Sequence, residues 1–194
     1  MLALGACPEG REWIEKTNQA DFRQGWKVCP APEFMCWLLT RLLGLQGVRA
    51  CVACSKAAAQ LHDDPLLRKT IALCEHVLDG KSKDLVADVT KLQVLAYDAT
   101  ESALAVKKAA GPALLSVAYA AYAVHYAVMS RDEPDAALKL KHLLKAAQHS
   151  SDAASHAHKG LPPKSGLASL VRATIPDDAV VKAWTTTNPS SPTP

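Results

Sequence analysis

Large aromatic side chains are scarce in this chain, making up 5% of its 194 residues with only two phenylalanines. Since hydrophobic residues still reach 49%, the interior has to be built from alanine, leucine and valine. Small side chains let helix backbones approach closely, which favours helices over sheets. Charge of one sign is also lacking. A net charge of +3, spread along the chain without a lysine or arginine block, is too weak to imply nucleic acid and leaves acidic and basic partners both open. There is no G-x-S-x-G, no serine with a convincing base, no G-x-x-x-x-G-K-[ST] and no strand to carry one. Nucleophilic catalysis and phosphate binding therefore have no anchor. Carboxylates cluster only at helix starts, where they serve as caps before they serve as glycosidase-type acids or bases. The opening Met1-Leu2-Ala3-Leu4-Gly5-Ala6 is too short to be a signal peptide. The six cysteines are accordingly expected to be reduced, and the protein cytoplasmic.

What is present is an uncharged run: no charged side chain lies between Lys108 and Arg131. Residues 112–130 read as a helix apolar on nearly every side. Leu115, Tyr119, Tyr122, Tyr126 and Met129 recur on one face, and Leu114, Ala118, Ala121, His125 and Val128 on another, so neither face looks made for water. About 20 uncharged residues would also cross a bilayer. Against that, alanine dominates the run, it carries tyrosines and a histidine mid-segment, and no second candidate span exists. The expectation is no membrane, with this segment as the central helix of a water-soluble all-α domain of about seven to nine helices.

The rest of the chain supplies its neighbours. Pro8, Trp13 and Ile14 mark a short helix over Glu9 to Lys16, and Asn18 is a plausible cap for a second that carries Phe22 and Trp26. After Cys29-Pro30-Ala31-Pro32, a stripe of Phe34, Trp37 and Leu38 runs to Gly44. Aromatics so concentrated suggest a lid of short helices over residues 1–44. An Ala/Cys-rich helix spans Leu45 to Leu61, and Asp63-Asp64-Pro65 restarts a helix that runs to Asp79 and Gly80. Asp84 to Ala110 carries Leu85, Val89, Leu92, Leu95 or Ala96, Ala99, Ala103 and Val106 at helical spacing. Asp132-Glu133-Pro134 opens the last long helix, with Ala136, Leu140, Leu143, Ala147 and Ala154 as its buried stripe and Gly160 as its end. The two acidic-proline junctions suggest related helical hairpins over 45–160, although compositional coincidence among Ala-rich helices fits equally. Pro162-Pro163 then makes an extended step. Gly166 to Arg172 and Asp177 to Trp184 complete a single domain over 1–184 (short C-terminal helices over 161–184), and 185–194 has the composition of a disordered tail.

Two constellations carry possible chemistry. Cys51-Val52-Ala53-Cys54 has the spacing of a zinc half-site or redox pair, which Cys29 and Cys36 would complete, but it lies in a smooth apolar helix where cysteine behaves as a small hydrophobe. His142, Lys145, His149, Asp152 and His156 fall on one stripe of the last long helix. Three of them, His149, Asp152 and His156, are borderline ligands suited to zinc or nickel. Otherwise the stripe is a solvated face or a partner-binding face sensitive to mildly acidic pH. His125 reads as a hydrogen-bonded core residue rather than a general base. The expectation is no metal and no cofactor, with the stripe as the partner-binding face. Its replacement by alanines should then abolish capture and leave thermal stability alone.

The chain as a whole resembles a family of Ala-rich helical proteins of bacteria and their phages described as immunity proteins. Cys7-x-Glu9-x-Arg11-Glu12-Trp13-Ile14, Trp26-x-x-Cys29 and Phe34-Met35-Cys36-Trp37-Leu38 are similar to its acidic/Trp N-terminal section. Asp64, Arg68-Lys69-Thr70-Ile71 and Asp79-Gly80-Lys81 resemble its middle helix. Ala118 to Met129 with its internal histidine, then Leu170-Val171-Arg172 and Ile175-Pro176, resemble its later segments. Val77 stands where a tryptophan is usual, Lys81 replaces an acid, and Phe34 takes a position often filled by Trp; these departures bear on a shared binding surface and leave the fold expectation intact. The resemblance implies a non-enzymatic cytoplasmic protein that neutralises a toxin by binding it, and it supplies no catalytic residues. A phage-encoded factor acting on a host or defence protein is the alternative, and a metal-binding enzyme or sensor the second. Oligomeric state is left open.

Overall fold

Residues 22–105, 110–161 and 166–187 are described by the computed structural model. Within them the chain forms nine helices and no strand: α1 (Phe22–Val28), α2 (Pro32–Leu43), α3 (Leu45–Ala59), α4 (Pro65–Leu78), α5 (Leu85–Ala105), α6 (Gly111–Asp132), α7 (Ala136–Gly160), α8 (Leu167–Thr174) and α9 (Asp177–Thr187). The expected all-α single-domain bundle is what forms. The helix expected over Glu9 to Lys16, the Asn18 cap, Cys7, Val106, the Pro162-Pro163 step and residues 188–194 lie outside the described residues.

Local chemistry sets most boundaries. Asp64 caps α4 by accepting from the Leu66 N–H at 2.7 Å, with Pro65 as the first helical residue. The second acidic-proline junction works differently. Pro134 stands outside the helix, and Asp135 is the cap, accepting from the Leu138 N–H at 2.8 Å. Alpha-2 and α3 meet at a single residue, Gly44, whose φ of +56° and ψ of −127° are accessible only without a Cβ. Its N–H closes α2 on the Thr40 carbonyl at 2.9 Å. The helices then cross so closely that a Cβ on Gly47 would lie 2.1 Å from the Leu39 carbonyl oxygen.

The uncharged segment is the hub. Alpha-6 packs against α3, α4, α5 and α7. Among the described residues it is the one helix long and apolar enough to cross a membrane, and its most apolar window is 67% buried by these neighbours. Its inner seam is small throughout: Ala113, Ser116, Ala120, Ala123, Ala127 and Ser130 alternate spacings of three and four, and all are buried. Alpha-7 answers with buried Ala146, Ser150, Ala153 and Ala157. The pairing is antiparallel and in register over two heptads, because the Ser116 hydroxyl donates to the Ala153 carbonyl at 2.7 Å and the Ser130 hydroxyl to that of Lys139 at 3.0 Å. Ser55 of α3 joins the first of these at 2.7 Å from the Ser116 hydroxyl, and Thr40 of α2 donates to Ser150 at 2.8 Å. Four helices are thereby pinned through short hydroxyls that only closely approaching backbones permit.

Three sequence expectations are corrected here. The buried stripe of α7 is the Ala/Ser row, and not Ala136 and Leu140, which are exposed; the whole of 136–141 is open to solvent. A close hairpin admits alanine at its seam where leucine would hold the helices apart. The face of α6 bearing Leu115, Tyr119, Tyr122, Tyr126 and Met129 is half-open, with Met129 exposed, so only the opposite faces are closed. Finally, Thr185, Thr186 and Thr187 belong to α9 and not to a tail. Each hydroxyl donates at 2.9 Å to the carbonyl four residues back, which satisfies it within the helix.

The aromatic lid draws on both ends of the described chain. Phe22 stacks on Trp184 with ring centroids 4.4 Å apart, the Trp26 indole N–H donates to Asp177 at 3.0 Å, and Arg172 donates to the Cys29 carbonyl at 3.0 Å. Alpha-8 and α9 thus clamp α1 onto α2 and α3.

Candidate functional site

The histidine stripe of α7 does not stand in solvent. The seven-residue spacing of His142, His149 and His156 matches that of Tyr119 and Tyr126 on α6, and the in-register hairpin brings the two rows together. His149 lies among three tyrosines, its ring 5.8 Å from Tyr119, 5.4 Å from Tyr122 and 5.4 Å from Tyr126. His156 stacks on Tyr119 at 5.4 Å, and His142 sits tilted 6.2 Å from Tyr126. His125, one residue before Tyr126 on α6, meets that ring edge-on at 5.0 Å and faces Val89 of α5 across a cleft. The Lys145 ammonium lies 4.8 Å above the Tyr126 ring, a cation–π contact, and 3.4 Å from its hydroxyl. Asp152, on the same flank, accepts from Gln148 at 3.1 Å.

Between α5 and the end of α6 a cleft of about 270 Å³, lined in part by Val86, Val89, His125, Val128 and Met129, continues this face. Tyr97 of α5 is close enough to Tyr122 to act on its hydroxyl electrostatically. All four tyrosines of the chain therefore border one surface on α5, α6 and α7. Spacing along α7 puts its five polar residues on one stripe, and the tyrosines of α6 form the other half of that surface. The signal was the shared heptad of tyrosine and histidine, visible only once the two helices are known to be antiparallel neighbours.

The electrostatics push this surface toward neutrality. Burial lowers the His149 pKa below its ordinary value, with Lys145 and His125 adding to the effect and Asp152 opposing it. His156 is lowered by burial and by Lys159, again opposed by Asp152, and His125 by burial, with His142 and Lys145 adding and the Val89 backbone opposing. The Tyr122 hydroxyl is raised by burial and by the neighbouring tyrosines. The Nδ1 atoms of His125 and His149 are buried without a hydrogen-bond partner, so a proton there would find no acceptor.

These shifts give stability a pH dependence. A histidine whose folded pKa lies below its unfolded value of about 6.5 binds fewer protons folded than unfolded between the two. The fold is therefore most stable above pH 6.5 and weakens as the pH falls below it. Thermal melts at pH 7.5, 6.5 and 5.5 should show a falling midpoint, and His149→Phe should flatten the decline; a midpoint that rises on acidification contradicts the arrangement.

The thiols are packing groups. Cys36, Cys51, Cys54 and Cys74 are buried among α2, α3 and α4. Burial pushes Cys51 up to about 12, and raises Cys36 and Cys74 as well. Cys29 is set apart in the loop before α2, where burial raises it to about 11. Burial thus favours the thiol over the thiolate at these positions. Among the described residues no three His, Cys, Asp or Glu side chains are grouped to hold a metal ion, so neither the thiols nor His149, Asp152 and His156 converge on one. What the tyrosine–histidine surface offers is flat aromatic area with hydroxyl and imidazole hydrogen-bonding edges. Comparison with protein-family models, with curated proteins and with solved structures finds no match to this chain.

Proposed function

We propose that this protein acts by contact, as a non-enzymatic cytoplasmic binding protein of immunity type that neutralises a protein partner by covering its working surface. The carrying observation is the half-open surface of Tyr119, Tyr122, Tyr126, His142, His149 and His156, rimmed by Lys145 and Asp152. Tyrosine-rich, charge-poor centres with polar rims are the composition of protein interfaces, and an interface of ordinary size would cover about 800 Å² on each side. The resemblance in the sequence supports a toxin as the partner. A host or defence protein bound by a phage-encoded factor is the second form of the same reading, and gene neighbours separate the two.

The test reverses charge at the rim and leaves every ring of the ladder in place. Alanine replacement of the whole stripe, which the sequence alone suggested would leave stability untouched, strips the tyrosines of their stacking partners and is expected to destabilise the fold. Lys145→Glu with Asp152→Lys instead reverses the rim charges, and should weaken partner capture by roughly tenfold or more while the melting temperature stays within a few degrees. Affinity capture from the native host, read by mass spectrometry, measures the first and circular dichroism the second. Undiminished capture by the folded double variant would place the interface elsewhere, and stoichiometric zinc, nickel or iron in the purified protein would replace the reading with a metal-dependent one.

A further inference from the structure

Alpha-5 is an edge helix with two apolar faces. One, made of Val89, Leu92, Leu95, Ala96 and Ala99, is buried against its neighbours α4 and α6. The other looks outward and presents Val86 at 78% exposure, Val94 at 56%, Tyr97 at 60% and Leu104 at 72%. Single exposed apolar residues are ordinary, but a row of large ones along one helix marks an interaction surface. The row also has a period. Thr90, Val94, Tyr97, Glu101 and Leu104 alternate spacings of four and three, the repeat of a seam that packs on another helix, and Val86 extends it by one more turn.

We propose that the occupant of this seam is α5 of a second copy of the chain, laid antiparallel across a two-fold axis. The seam reads the same in both directions. Antiparallel pairing sets Val86 opposite Leu104 of the second copy, Thr90 opposite Glu101, and Val94 opposite Tyr97, so apolar meets apolar and polar meets polar at each level. The charges are self-complementary in the same register. Lys91 and Asp98 are exposed, lie seven residues apart on one flank of the seam, and carry no ion pair to another described residue. An antiparallel two-fold pair brings each flank against its own copy, so Lys91 faces Asp98 of the second copy and Asp98 faces Lys91.

This surface goes beyond the contact reading above and does not depend on it. The flank of α7 stays open in the pair, and Tyr97 marks where the two surfaces adjoin. A helix of 21 residues is about 30 Å long and offers less than the roughly 800 Å² per partner of a standard interface, so the pair is reversible.

Sedimentation velocity on the purified full chain, across roughly 5–200 µM to bracket a weak interface, tests it. Wild type should move from the monomer mass of 20.7 kDa toward twice that value. Asp98→Lys and Lys91→Asp each place like charges at both flank contacts and should shift the midpoint of association by about tenfold or more. Mixing the two single variants restores opposite charges at both contacts and should restore association, as should the double variant alone. Both substituted residues lie on the surface, and circular dichroism melts confirm that each variant folds. A wild type that stays monomeric throughout, an association indifferent to Asp98→Lys, or a mixture that fails to recover would each overturn the proposal, the first leaving the seam to a different partner.

Discussion

Replacing Gly47 by alanine is expected to lower the melting temperature by roughly 6–12 °C, the counterpart of about 3 kcal/mol in a domain of this size. The new methyl would sit 2.1 Å from the Leu39 carbonyl oxygen, 2.3 Å from its carbon and 2.6 Å from the Thr40 nitrogen. All three are backbone atoms of α2, so no side-chain rotamer can relieve the overlap and the α2–α3 corner has to open. Opening it strains the Thr40–Ser150 hydrogen bond and loosens Met35, Leu38 and Leu39, which are fully buried beside it. Gly160→Ala is the matched control, because there the nearest atoms are at ordinary contact, Pro112 Cβ at 3.5 Å and the Ala113 nitrogen at 3.6 Å. Differential scanning calorimetry should separate the two variants clearly. Equal midpoints would mean that α2 and α3 do not cross as described.

Ala153→Leu is expected to cost a similar amount, about 2–3 kcal/mol, through the α6–α7 seam. Ala153 is fully buried, and its carbonyl receives the Ser116 hydroxyl that also touches Ser55. A leucine side chain fills the space that lets the helices approach, so α7 must move outward and its hydroxyl contacts, Ser116–Ala153, Ser130–Lys139 and Thr40–Ser150, lengthen together. The tyrosine–histidine ladder lies on the same pair of helices, and its stacking should loosen with them. Tyrosine fluorescence and hydrogen exchange along residues 113–157 report that loosening directly. The same substitution at Ala137, which is exposed on α7, should stay within about 0.5 kcal/mol of wild type. A variant at 153 that melts like the one at 137 would contradict an alanine-lined interface.

Much of the fold was legible in the residues themselves. Proline at first turns, Asp64 as a cap and Gly44 as a stop gave helix limits to within a few residues, because these effects act over one turn of chain. The segment between Lys108 and Arg131 announced a helix needing neighbours, and the 3–4 pattern of α5 named Val89, Leu92 and Ala99 as its inner face. The weaker readings were those that depended on a neighbour's identity. Leucine usually prefers a core, yet a hairpin this close buries alanine and serine at its seam, and Leu140 lies at the surface. The threonines at 185–187 looked like tail by composition, and their hydroxyl bonds to the preceding turn kept them helical.

The sequence by itself determined that the chain is helical, where most helices begin and end, that Pro112 to Ser130 lies at the hub, and that five polar residues of α7 share a face. Only the tertiary structure decided what that face meets. Spacing along one helix fixes direction relative to its own axis, whereas the partner it finds depends on how far apart and in what register two helices settle. Here the small Ala/Ser seam set both, and by doing so it laid His142, His149 and His156 against Tyr119, Tyr122 and Tyr126 while leaving the outer row of α5 uncovered.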